Sequence, residues 1–140
     1  TTGVIWYFDG SAFIQLNNNI LAGRSLEIVN GNLYFSTSVS PAGIYQIGSG
    51  LPITPNQTVQ LLIETASPRG FAFAPDGQLA YVADDSPLNG NTGGGIQKWV
   101  LQNNVWTKHT TTIDAIEQST GYDVLRDLPD ALEEHLESKK

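Results

Sequence analysis

Cysteine and methionine are both absent from these 140 residues. Without cysteine the chain has no disulfide framework, no thiolate metal site and no cysteine nucleophile, although that absence fixes no compartment. Without methionine, Thr1 does not read as a translation start, so the chain is expected to be a processed product or a slice of a longer protein. No apolar run approaches the ~18 residues of a membrane-spanning helix, and no membrane partner is expected. Positive charge is also scarce: seven Lys and Arg face fourteen Asp and Glu, a net charge of −7. Residues 1–111 hold six acids against Arg24, Arg69, Lys98 and Lys108, a net of −2. Residues 112–140 hold eight acids against three bases, a net of −5. Neither part offers the basic stripe that a phosphate backbone needs, which argues against nucleic-acid binding by this chain alone.

What is present is enough hydrophobic residue, 40 %, for a folded core of ordinary size. An internal repeat organises the first 111 residues. RSLEIVNGNLYFSTS (Arg24–Ser38) and RGFAFAPDGQLAYVADDS (Arg69–Ser86) each begin with Arg and run through an apolar strand. Each then turns at Asn30-Gly31 or Asp76-Gly77 and returns through a Tyr-bearing strand. Asn-Gly and Asp-Gly are strong hairpin signals because such turns need positive φ. A glycine-led third strand follows in GIYQI (Gly43–Ile47) and GIQKWV (Gly95–Val100), and GVIWYF (Gly3–Phe8) fits the same slot. Fourth strands are read at Ala12–Leu16, Thr58–Ile63 and Val105–Thr110, with tight turns at Asp9–Ser11 and Gln102–Asn104.

Four antiparallel strands every ~45 residues is the pattern of a propeller blade. APDGQLAYVADD and GGGIQKW resemble the repeats of secreted bacterial β-propeller proteins, over residues 3–110. The expected fold is therefore mainly β: a partial propeller arc of about two and a half four-stranded blades, then two short C-terminal α-helices. Residues 3–16 supply half a blade. Open sheet faces are expected at both ends unless further blades, other copies or the tail cover them.

The tail from residue 112 is written differently. Thr111 and Thr112 suit the cap of a helix from Ile113, with Gly121 as its left-handed stop. Asp127 suits a second cap, and Leu128, Leu132 and Leu136 fall on one face. These leucines are expected to pack on the last blade, since helices so short need a supporting surface. TIDAIEQSTGYDVLRDLPDALEEHLESK (Thr112–Lys139) resembles the C-terminal end of the DNA/RNA non-specific endonuclease family. The likeness is carried by Ile113, Ile116, Glu117, Thr120, Gly121 and Tyr122, then by Asp123, Leu128, Pro129, Asp130 and Glu133. It implies a magnesium-dependent nuclease as parent. The D-R-G-H motif that performs that family's catalysis is missing, and His109 and His135 stand in other contexts. No catalytic residue carries over.

Candidate sites are few. Asp84, Asp85, Ser86, Asn89 and Asn91 gather hard oxygen donors of the kind calcium takes, in a spacing that matches no known loop; solvated turns read the same way. Trp6, Trp99, Trp106, Tyr7 and Tyr45 have the surfaces to stack on sugars or bases, but their places in strands favour packing. Asn56-Gln57-Thr58 is a glycosylation sequon, meaningful in a eukaryotic secretory route. The reading is a non-catalytic fragment of a secreted or extracellular β-propeller binding or scaffold module, with no cofactor. Its partner is an unknown ligand or additional blades. The alternative is a remnant of a metal-dependent endonuclease whose catalytic part, with its magnesium, lies outside this chain. The domains expected are 1–111 and 112–140.

Overall fold

The computed structural model of the chain describes residues 4–18, 22–87 and 94–111. Ten strands occupy them: β1 (Trp6–Phe8), β2 (Phe13–Gln15), β3 (Gly23–Val29), β4 (Asn32–Thr37) and β5 (Gly43–Ile47), then β6 (Val59–Glu64), β7 (Pro68–Phe73), β8 (Leu79–Asp84), β9 (Gly95–Gln102) and β10 (Val105–Thr111). They form three antiparallel sheets: the pair β1-β2, a middle sheet β3-β4-β5-β6, and a last sheet β10-β9-β8-β7.

This corrects the expected class. A propeller arc ending in helices gives way to an all-β arrangement of three separate sheets, with no helix among the described residues. The physical reason lies in the pattern of the described stretch. Apolar residues alternate at period two and are interrupted by positive-φ turns, so no 3.6-residue stripe arises. The helical pattern was confined to residues 112–140, which lie outside the described residues, as do the docking expected of Leu128, Leu132 and Leu136 and the nuclease-like segment.

The turns follow from local chemistry. Asn30 and Gly31 sit at φ 50° and 73°, and join β3 to β4. Gly77 is at φ 70° in the β7–β8 turn, where Asp76 Oδ1 accepts from Gln78 N–H. Asp9 Oδ1 accepts from the N–H of Ser11 and Ala12, closing the β1–β2 turn and holding its carboxyl below the usual range. Gly43 is required for close approach: a Cβ there would strike the Ile63 carbonyl oxygen.

Strand alternation divides the middle sheet's side chains between two cores. Leu33, Phe35, Tyr45 and Ile47 join Leu16 in a cluster against the β1-β2 pair. Ile44 and Ile63 face the other way and meet Phe71, Ala80 and Val82 of the last sheet. Each fully buried aliphatic contributes about 1.5–3 kcal/mol relative to exposure, so the middle sheet is stabilised from both sides.

Candidate functional site

Two places concentrate chemistry or open surface: a polar cluster where the last two sheets meet, and a groove between β1 and β3.

The polar cluster is organised around Asp84, the last residue of β8, which is buried. Its Oδ1 accepts from the Ser86 N–H at 2.9 Å and from the Ser86 hydroxyl. Its Oδ2 accepts from the Ser67 N–H at 2.9 Å and from the Thr65 hydroxyl. Burial pushes this carboxyl upward, yet the hydrogen bonds from Ser86, Thr65 and Ser67 outweigh it and hold it below its ordinary value. The Thr65 hydroxyl also lies 3.0 Å from Gln97 Oε1, which accepts from Trp99 Nε1 at 3.0 Å.

Asp85 plays a different part. Its Oδ1 accepts from Arg24 Nη1 at 3.1 Å and its Oδ2 from Arg69 Nε. Arg24 opens the middle sheet and Arg69 belongs to the last, so one carboxylate clasps both sheets. The Ser67 hydroxyl, Arg69 and Arg24 hold Asp85 well below the usual carboxylate range. The Arg that begins each hairpin was legible in the sequence. Its convergence on one Asp, 61 residues from Arg24, was not.

Of the five oxygen donors singled out for calcium, Asp84 and Asp85 are thus engaged by protein donors, Ser86 gives its hydroxyl proton to Asp84, and Asn89 and Asn91 lie outside the described residues. An ion at Asp84 would have to displace Thr65, Ser67 or Ser86. Among the described residues, no group of three His, Cys, Asp or Glu is placed to hold a metal. His109 is exposed on β10 and His135 lies outside the described residues. Trp99, Trp106, Tyr7 and Tyr45 all pack on the two cores. Trp6 instead stands on the outer face of the β1-β2 pair with Phe8 and Phe13, all three exposed. Asn56 of the sequon is exposed, at φ 61°.

The groove is the feature that residue-by-residue reading missed. Its floor is Leu26 and Ile28 of β3, 53 % and 61 % exposed, and its walls include Ile5 and Tyr7 and the Leu51–Ile53 segment. The space is ≈ 240 Å³, and it adjoins a hollow of ≈ 270 Å³ between Val4–Trp6 and Gly23–Leu26. A signal for it existed: Leu26 and Ile28 alternate with Ser25 and Glu27, the mark of a strand with a face to cover. Comparison with protein-family models, curated proteins and solved structures finds no match to this chain.

Proposed function

We propose that the chain is a non-catalytic binding or scaffolding module of a secreted or extracellular repeat protein. The resemblance of residues 3–110 to bacterial β-propeller repeats suggests that setting. The observation that carries the reading is the combination of a strand edge that no described strand pairs with and an exposed apolar groove beside it. Such a surface suits a polypeptide, because main-chain pairing supplies affinity and side-chain seats supply selectivity. The conspicuous acids support the same reading: Asp84 and Asp85 spend their oxygens on holding sheets and loops together.

The test is incubation of the purified chain with plasmid DNA and magnesium. The plasmid stays intact. Cleavage that survives repurification and disappears with chelator would overturn the non-catalytic reading.

A further inference from the structure

The middle sheet is covered unequally on its two faces. On one face β7 lies against β3, β4 and β5. The last sheet thereby buries Ile44 and Ile63 to within 1 % of full burial. On the other face, among the described residues, the strands of the covering layer are β1 and β2, and the Leu51–Ile53 segment borders the groove they leave. Those two strands reach Leu33, Phe35, Tyr45 and Ile47, while Leu26 and Ile28 on β3 stay open.

The backbone of β1 supplies an independent observation. Leu16 N–H donates to Ile5 O at 3.0 Å, and Asp9 N–H to Ala12 O at 3.2 Å. In an antiparallel ladder this directs Ile5, Tyr7 and Asp9 at β2, and Val4, Trp6 and Phe8 at the opposite edge. Among the described residues, no strand pairs with that edge. In the two four-stranded sheets the corresponding edge is taken: β4 lies on β5, and β8 lies on β9. Each of those partners arrives as the second arm of a hairpin, β3-β4 or β7-β8, that turns at Asn-Gly or Asp-Gly.

We infer that the β1 edge and the groove beside it seat a β-hairpin presented by another polypeptide. The inference rests on the reading of the chain as a binding module and names its partner. The second arm of the hairpin runs antiparallel to Val4–Phe8. The first arm lays alternating apolar side chains on Leu26 and Ile28, as β7 does on the opposite face of the same sheet. Two arms are needed, because a single strand on β1 would leave β3 bare. Charge plays little part: Arg24, the cation at the margin, is already paired with Asp85. A second copy joined β1 to β1 does not fit. The two-fold axis of such a ladder stands perpendicular to the strands, so both middle sheets would occupy the same side and the same space.

The probe is a synthetic peptide of the chain's own hairpin, RGFAFAPDGQLAYVADDS (Arg69–Ser86), added to the isotope-labelled full chain. Because an isolated hairpin is marginally stable in water, the same segment is also fused ahead of the chain through a Gly/Ser linker. In the fusion, the Val4, Trp6 and Phe8 amides exchange at least about tenfold more slowly and the Tm rises. The free peptide at millimolar concentration shifts the same amide signals. Leu26→Asp abolishes both effects while leaving the Tm of the unfused chain unchanged. Unaltered exchange at those amides in the fusion would overturn the inference. So would equal seating on the Leu26→Asp chain, or a β1-linked dimer of the unfused chain in sedimentation. Such a failure leaves the non-catalytic reading standing; magnesium-dependent DNA cleavage removes that reading whatever the hairpin does.

Discussion

The two faces of the middle sheet belong to the same four strands, yet one is closed and the other is not. Where the last sheet covers it, apolar burial is accompanied by polar ties. Ser36 Oγ donates to the Arg69 carbonyl at 3.1 Å, Asn30 Nδ2 donates to the Pro75 carbonyl at 3.0 Å, and Arg24 reaches Asp85. Where the β1-β2 pair covers it, the ties sit at one end: Asn17 Nδ2 and the Gln57 N–H bond across at 2.7 and 2.8 Å. The difference is one of strand number. Among the described residues, two strands cover β4, β5 and β6 and leave β3 open. Equal apolar patterning on the two faces therefore does not give equal burial, and the shortfall falls on β3.

The comparison can be broken by substitutions on either side. The largest effect is expected at Ile44, fully buried between the middle and last sheets. Ile44→Ala should lower stability by about 2–5 kcal/mol in urea unfolding, through lost burial and the cavity left behind. A loss under about 1 kcal/mol would mean that the closed face is not closed.

Asp84→Ala comes next. It leaves the Ser67 and Ser86 N–H groups and the Ser86 hydroxyl without their acceptor, at a cost of about 1–3 kcal/mol. The acid limb carries the sign. Asp84 is held below its unfolded value near ~3.9, so its contribution is present above that pH and is lost as pH falls through the folded value. The gap between the parent chain and Asp84→Asn should narrow below about pH 4. A gap that widens on acidification would show that the carboxylate is not stabilising. The smallest effect belongs to the open face: Leu26→Ala and Ile28→Ala should each stay within about 0.5 kcal/mol of the parent. A large loss at either would show that the groove floor is already covered.

Much of the β layout was legible because its signals are local. Gly43–Ile47 was read as a strand with its boundaries intact, since a glycine and four alternating residues suffice. Asn30-Gly31 declared its turn by the positive φ it requires. The fold class as a whole was misread, because helical periodicity after residue 111 was joined to it. At the candidate sites local signals failed. Asp84 and Asp85 resembled ligands because adjacent acids with Ser and Asn look alike whether they hold an ion or a clasp. Their true partners, Thr65, Arg24 and Arg69, lie 16 to 61 residues away in sequence. Leu26 and Ile28 carry the alternation of any half-buried strand, and it is the two-stranded cover seen among the described residues that leaves a groove over them.

The account depends above all on the outer edge of β1 being unpaired, and amide hydrogen exchange of the unmodified chain measures that edge directly. Tyr45 and Trp99 hold the matching places in β5 and β9, where the ladder directs their N–H groups at β4 and β8. Val4, Trp6 and Phe8 should exchange much faster than Tyr45 and Trp99. Protection at Trp6 and Phe8 equal to that at Tyr45 and Trp99 would show that the edge is already occupied, and would contradict the account.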